Sequence, residues 1–272
     1  MSKELTGQVA IVTGAGRLRG IGRAAAVRLA EMGADVVITG TGRNPEAFPD
    51  DEKAIGWRDI ESVADQVREL GQRALPLVVD VSSSDEVDKM VADTISEFGR
   101  IDILINNAAF RRGEDRVAVV DLDEDLFRRV LDIKVVGSFL CAKAVARHML
   151  RRNADNGAIV NLSSTAGKQG SANTSAYNAA NFAINGFTQA LAKELAPYGI
   201  NVNGVCPGAI ETARMDILGR GEFWQNLEAG IPMGRAGTDE EVADLIGFLC
   251  SDRARYITGQ SINVNGGSVT AH

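Results

Sequence analysis

The chain has 272 residues, 45% of them hydrophobic, enough to bury a sizeable core as one dinucleotide-binding and catalytic domain spanning 1–272. Its formal net charge of −7 offers no basic face to a phosphate backbone, which argues against nucleic acid as a partner. The N-terminal MSKELTGQVAIVTG is too briefly apolar for a signal or a membrane span, and Cys141, Cys206 and Cys250 lie far apart with no C-x-x-C, so a cytoplasmic protein without disulfides, metal or membrane contact is expected.

In chain order, short β-branched runs alternate with amphipathic segments of helical length. VAIVTG (9–14), DVVITG (35–40), ALPLVVDV (74–81), IDILINNAA (101–109), GAIVNLSS (157–164), INVNGVCPG (200–208) and QSINVNGG (260–267) read as strands. The nearly unbroken apolar character of the first, second and fourth suits parallel strands covered on both faces. Between them GRAAAVRLAEMG, DIESVADQVRELG, SDEVDKMVADTISEFG and LFRRVLDIKVVGSFLCAKAVARHMLRR carry helical periodicity, with Gly33, Gly71 and Gly99 placed as C-terminal caps. The alternation predicts an α/β doubly wound (Rossmann-type) parallel sheet with helices on both faces. The segment TGTGRNPEAFPDDEKAIGW (39–57), rich in Pro, Gly and charge, is expected to be an irregular surface excursion.

The first strand runs into TGAGRLRGIGRAAA, a Gly-rich turn that opens a helix, where a dinucleotide pyrophosphate can rest on backbone amides. Gly14 makes the turn, and Gly20 and Gly22 allow close approach of the backbone, although a tight strand–helix connection needs glycine for steric reasons alone. Further landmarks follow in order: Asp80-Val81, NNAA at 106–109, NLSS ending at Ser164, Tyr177, PGAIET at 207–212, and a closing GRAGTDEEVADLIGFLCSD with ITGQSINVNGG. With these landmarks over essentially its whole length, the chain resembles the short-chain dehydrogenase/reductase family, in particular its 3-oxoacyl-carrier-protein reductase-like branch. The glycine motif departs from the family pattern, with five residues rather than three between Gly14 and Gly20, as if Leu18 and Arg19 were inserted.

The resemblance implies a nicotinamide cofactor held along Gly14, Gly20 and Ile21. It places Asp80 and Val81 at the adenine, Asn106, Asn107 and Ala108 on the ribose side, and Pro207, Gly208, Ile210 and Thr212 toward the nicotinamide, with Thr212 on the carboxamide. An NAD-binding member presents a carboxylate at the end of the second strand, where this chain has Gly40 followed by Thr41, Gly42 and Arg43. With no carboxylate to repel a 2′-phosphate and with Arg17, Arg19 and Arg43 able to pair with it, NADP is expected, with NAD as the alternative. The plainer reading of these arginines is solvated loop charge.

Hydride transfer to a carbonyl needs a proton for the oxygen, and a Tyr hydroxyl, with an ordinary pKa of about 10, serves near neutral pH only beside a cation. Tyr177 is the candidate acid/base, with Ser164, thirteen residues earlier, positioning the substrate oxygen and Ser163 turned to the opposite face of its strand. In the family the cation is a Lys four residues after the Tyr; here that position is Asn181. The family's Asn on the preceding long helix corresponds to Lys134, so the two residue types are exchanged. A relocated cation at Lys134, reaching space left by the short Asn181, is the favoured expectation. Against it stands loss of the chemistry, with Lys134 extending to solvent, and Lys168 is an alternative cation.

Phe223, Trp224 and Leu227 in the segment after PGAIET are expected to form an apolar lid. Arg111 and Arg112 in FRRGEDR either meet a carboxylate or phosphate on the substrate or neutralise Glu114 and Asp115 in a surface loop. His148, late in a helix, is expected as a favourable C-terminal cation, and His272 is the last residue. The small and apolar face of NGFTQALAKELA suits a homo-oligomer, dimer or tetramer. Three functions remain open: an NADP-dependent oxidoreductase acting on a small carbonyl or secondary alcohol, a catalytically silent dinucleotide-binding sensor or scaffold, and a non-redox lyase or isomerase.

Overall fold

The computed structural model describes residues 3–152 and 156–271; His272 lies outside them. All seven expected strands form: β1 (Val9–Val12), β2 (Asp35–Gly40), β3 (Ala74–Val78), β4 (Ile103–Asn106), β5 (Gly157–Leu162), β6 (Ile200–Pro207) and β7 (Ser261–Val264). They pair in parallel as one sheet in the order β3-β2-β1-β4-β5-β6-β7. The direction of winding reverses between β1 and β4, so the carboxyl ends of those two strands flank the crevice where such sheets bind ligands.

The period-two alternation of side chains divides the core into two layers. Ala10, Val12, Val36, Ile38, Ile103 and Ile105 pack on α1 (Ile21–Glu31), α3 (Ile60–Glu69) and α9 (Asp239–Cys250). On the other face Ile11, Val37, Leu104 and Ile159 meet α4 (Ser84–Phe98), α6 (Gly137–Arg151) and α7 (Ser175–Leu195). Each fully buried Ile or Leu in these layers contributes about 1.5–3 kcal/mol of transfer free energy, which is why the central strands β1 and β4 are apolar up to their last residue. Gly33, Gly71 and Gly99 each take positive φ at or just past a helix end, as their caps require. The three cysteines are buried free thiols. Among the described residues no helix is long and apolar enough to cross a membrane, and no cluster of His, Cys, Asp and Glu is suited to hold a metal.

Two regions differ from the sequence expectation. The long helical pattern at 126–152 is divided: α5 (Glu124–Leu131) passes through a π turn at Asp132–Val136 into α6. Lys134 sits in that wider turn, and its carbonyl accepts the Ser138 hydroxyl (2.7 Å). The segment 39–57 lies at the surface over most of its length, as expected, but it is neither fully irregular nor wholly exposed. It forms a 3-10 turn (Pro45–Ala47) and a short helix α2 (Asp50–Ala54), and Phe48, Glu52 and Trp57 are buried. Its apolar residues join the core beside α1 and α3, and its charges serve the glycine loop. Composition counted the Pro, Gly and carboxylates and missed what they bind.

Candidate active site

At the carboxyl end of β1 the backbone packs too tightly for side chains. A Cβ on Gly14, which has φ +67°, would lie 2.8 Å from the Ala108 Cα, and one on Gly22 would lie 2.5 Å from the Asn107 Nδ2. Asn107 donates from Nδ2 to the carbonyls of Thr13 and Gly14 (both 2.9 Å), and the Thr13 hydroxyl accepts from the amides of Asn107 and Ala108. These contacts join the loops after β1 and β4 across the switch point. Helix α1 starts at Gly20 with no side-chain cap, so its first-turn amides remain available to an anion, while the Gly20 amide donates to Asp239 (2.8 Å). The close-packed glycines and the uncapped helix fit a dinucleotide pyrophosphate.

The two extra residues of the glycine loop are held by segment 43–59. Leu18 donates its amide to Glu52 (2.9 Å), and the Gly16 carbonyl accepts from both Arg43 (3.1 Å) and the Trp57 indole (2.7 Å). Arg43 pairs with Glu52 (2.9 Å) and Asp59 (2.8 Å) and lies over the Phe48 ring. Asp59 holds the strained left-handed φ of +55° that this clamp imposes, with its carboxylate against Gly16. Arg19 pairs with Asp51 (2.7 Å) and with Asp216, which holds its guanidinium above the ordinary value. Arg43 and Arg19 are thus committed to carboxylates and are not free to meet a 2′-phosphate. Arg17 has no such pair among the described residues: burial, then Arg43, hold its guanidinium below the ordinary value against the pull of Glu52 and Asp59.

The other positions expected at the dinucleotide lie at or follow the carboxyl ends of β3, β4 and β6 in the same sheet. Burial raises the Asp80 carboxyl, but Ser82 and Arg129 outweigh it and hold the group below the usual carboxylate range. Val81 is buried, close enough to α6 that a Cβ on Gly137 would meet its Cγ2 at 2.6 Å. Asn106 departs from its expected ribose role: its Nδ2 donates to Asn161 (2.9 Å) and to the Ser138 carbonyl (3.3 Å), inside the sheet. After β6, Pro207 and Gly208 close on β7, Ile210 bridges to Gly237, and Thr212 precedes a 3-10 helix (Ala213–Leu218). The Ala213 amide donates to the Arg19 carbonyl (3.1 Å), tying that helix to the glycine loop.

Tyr177, in the first turn of α7, and Lys134, in the π turn, line one narrow cavity with Phe110, Asp115, Val130 and Arg214. Lys134 does not extend to solvent; it is 5% exposed, and burial, then Arg214, lower its pKa to about 7, with Cys206 acting in the opposite sense. Arg116 lies flat over the Tyr177 ring, 4.0 Å from its centroid, with Arg214 at 5.5 Å. Asn181 is fully buried, and its Nδ2 turns back to the Tyr177 carbonyl (2.8 Å), which leaves its Oδ1 without a partner. No hydrogen bond joins it to Lys134 among the described residues, so the two exchanged positions do not meet as a bonded pair. Ser164 lies outside the cavity lining; its Oγ accepts the Ala166 amide (3.2 Å), and this leaves its proton free to donate. Ser163 instead donates to the Asn181 carbonyl (3.1 Å).

Several expectations are corrected by these contacts. Lys168 donates its ammonium to the Ser261 carbonyl (2.9 Å) and is committed to β7. Arg111 pairs with Glu114 on the surface, whereas Arg112 turns inward to the Met215 sulfur (3.5 Å). Phe223 is 58% exposed while Trp224 is buried under Arg220, so the two do not share one lid surface. The His148 imidazole is driven below its ordinary value by burial, then by Arg152, and is not the helix-end cation that its position implied. Sequence reasoning missed Arg116 and Arg214. Both follow motifs that carry the resemblance, and the signal was the run of arginines just after NNAA (Arg111, Arg112, Arg116) and after PGAIET (Arg214, Arg220).

A doubly wound sheet with a glycine cradle at the switch point and a Tyr-containing cavity beside it defines a dinucleotide-dependent oxidoreductase. A family model described as enoyl-(acyl carrier protein) reductase matches residues 14–269. A 3-oxoacyl-(acyl-carrier-protein) reductase of Synechocystis is 39% identical over 97% of this chain and 98% of its own length. One of Aquifex aeolicus is 37% identical over 98% and 99%. A solved short-chain type dehydrogenase/reductase from Mycobacterium marinum superposes with a TM-score of 0.86 at 33% identity over 98% of each chain. The chain belongs to the short-chain dehydrogenase/reductase family and is an oxidoreductase enzyme of it.

Proposed function

We propose that the protein is an NADP-dependent oxidoreductase interconverting a small carbonyl compound and its secondary alcohol, with Tyr177 as acid/base. The observation that carries this reading is the shared cavity of Tyr177 and Lys134 at the carboxyl end of the sheet, next to the glycine cradle. When bound, the dinucleotide supplies or accepts the hydride at the substrate carbon. Gly14, Gly20, Ile21, Asn107 and Ala108 hold its phosphate and ribose side, Asp80 and Val81 its adenine side, and Pro207, Gly208, Ile210 and Thr212 its nicotinamide side. Arg17, in the glycine loop near Arg43 and Asp59, meets the 2′-phosphate.

Tyr177 hands its hydroxyl proton to the carbonyl oxygen in reduction and takes it back in oxidation. The Ser164 hydroxyl donates a hydrogen bond that fixes that oxygen. Lys134 acts through Tyr177: its ammonium favours the tyrosinate that proton loss creates, and its pKa of about 7 lets it return a proton at neutral pH. The Arg116 and Arg214 guanidiniums over the ring face favour the same anion. The protein acts in the cytoplasm as a homo-oligomer, supported by the exposed Phe139 and Phe182 on α6 and α7. The test is to incubate the protein with NADPH and a panel of ketones and aldehydes, following nicotinamide absorbance and alcohol together. Dinucleotide binding without turnover would favour a sensor, and product formation without an absorbance change would favour a lyase or isomerase.

A further inference from the structure

The charge around Tyr177 does not balance. Lys134, Arg112, Arg116 and Arg214 surround it, and the carboxylate within this group is Asp115, itself buried. Asp115 is an incomplete partner: the Arg116 Nε lies 3.5 Å from its Oδ1 and makes no hydrogen bond. Arg112 has a sulfur as its contact, and Arg214 spends one nitrogen on the Phe110 carbonyl (2.5 Å). Burial and mutual repulsion depress the guanidiniums of Arg112 and Arg116, yet an arginine does not release its proton in a protein. The chain as a whole carries a net −7, so this concentration of positive charge is local to the cavity. Desolvated cations without a counter-charge are costly, and an anion brought by the ligand removes the cost.

On these grounds, and resting on the oxidoreductase reading above, we infer that the substrate is an oxo acid, whose carboxylate lies within a few bonds of the reacting carbonyl and is held by Arg116 and Arg214. Their guanidiniums stack on the Tyr177 ring, so an anion paired with them stays within a few bonds of the Tyr177 hydroxyl. Beside the arginines the cavity wall is formed by Phe110, Val130 and Ala180, apolar groups that suit a short carbon chain and offer it no polar partner. In the reaction the carbonyl carbon gains a hydride from the reduced dinucleotide and the carbonyl oxygen a proton from Tyr177, giving a hydroxy acid and oxidised dinucleotide; the carboxylate is unchanged.

The test is calorimetric titration of the protein saturated with NADP+ with 2-oxobutanoate, acetoacetate and the methyl ester of each. Saturation fills the phosphate sites, so an anion that still binds occupies the cavity. At least one acid should bind roughly tenfold or more tightly than its ester, about 1.4 kcal/mol. Arg116→Gln and Arg214→Gln should each bring that ratio toward one, and Arg116→Lys should keep part of it; NADP+ binding and thermal unfolding report whether each variant is folded. Esters binding as tightly as acids, no acid binding, acids binding only in competition with NADP+, or a ratio indifferent to both Gln variants would each overturn the inference. Acid binding without NADPH oxidation would leave the carboxylate subsite at Arg116 and Arg214 standing and remove the oxidoreductase reading, and with it the acid's role as a substrate to be reduced. Ester reduction without acid preference would do the reverse.

Discussion

Lys134 and Tyr177 reach the same narrow cavity from different helices, one from the π turn between α5 and α6 and the other from the first turn of α7. The long side chain that the family carries on the tyrosine's own helix is replaced here by one entering from the neighbouring helix. That arrangement has consequences for rate, stability and cofactor choice.

If Lys134 supports the proton step, the kcat/KM profile for carbonyl reduction should fall above about pH 7, where the lysine loses its charge in the free enzyme. Lys134→Ala should lower kcat/KM by about ten- to a hundredfold and abolish that limb. An anionic substrate favours the ammonium, so the limb in kcat should lie at higher pH than the limb in kcat/KM. Stopped-flow NADPH oxidation from pH 5.5 to 9.5 checks both; an unchanged profile in Lys134→Ala would remove the residue from the mechanism.

The same depressed pKa has a cost in stability, and its sign is fixed. Between about 7 and the ordinary 10.5 the unfolded chain holds the Lys134 proton and the folded chain does not, so this residue's contribution to stability rises with pH across that window. It is lost as pH falls toward 7 and is constant below. Lys134→Met should therefore be more stable than the parent at pH 7, with the gap closing by up to about 1.4 kcal/mol per pH unit toward pH 9. Urea denaturation at three pH values measures this, and a gap independent of pH contradicts the burial of a neutral amine.

Among the described residues Arg17 has no carboxylate pair, whereas Arg19 and Arg43, its neighbours at the proposed cofactor crevice, are spent on Asp51, Asp216, Glu52 and Asp59. Arg17→Ala should weaken NADPH binding by about tenfold or more, the loss of a charge-assisted hydrogen bond, and leave NADH within about twofold. Fluorescence titration with both cofactors distinguishes this from equal losses, which would place Arg17 on the shared phosphates.

The clamp on the glycine loop makes a separate prediction. Glu52→Ala removes the acceptor for the Leu18 amide and one partner of Arg43, both in a buried setting. It should cost about 1–3 kcal/mol of stability and weaken both dinucleotides alike. Trp57→Phe keeps one aromatic ring but loses the bond to the Gly16 carbonyl together with part of a buried side chain, and should also destabilise the loop. A Glu52→Ala protein with parental stability and cofactor affinity would mean that the longer loop holds itself.

The seven strands and the doubly wound parallel sheet were legible because they rest on local patterns: apolar runs, amphipathic helices and glycines at turns. What was not legible depends on contacts distant in sequence. Segment 39–57 reads as polar and irregular by composition, yet Glu52 and Trp57 become interior once Gly16 and Leu18 are there to receive them. Arg43 reads as a free cation because Asp59, sixteen residues on, is invisible to a local window. The π turn at Lys134 adds no residue type that a helical pattern lacks, so only the packing of α7 against it reveals where the ammonium goes.

The central claim is that Tyr177 delivers the proton in a hydride transfer. The most direct measurement is single-turnover reduction of a carbonyl substrate with NADPH by the parent and by Tyr177→Phe, recording nicotinamide absorbance and alcohol in the same sample. The account predicts one alcohol formed per NADPH consumed by the parent. In Tyr177→Phe it predicts a rate lower by about a hundredfold or more, with NADPH affinity retained. Alcohol formed at the parental rate by Tyr177→Phe would contradict it.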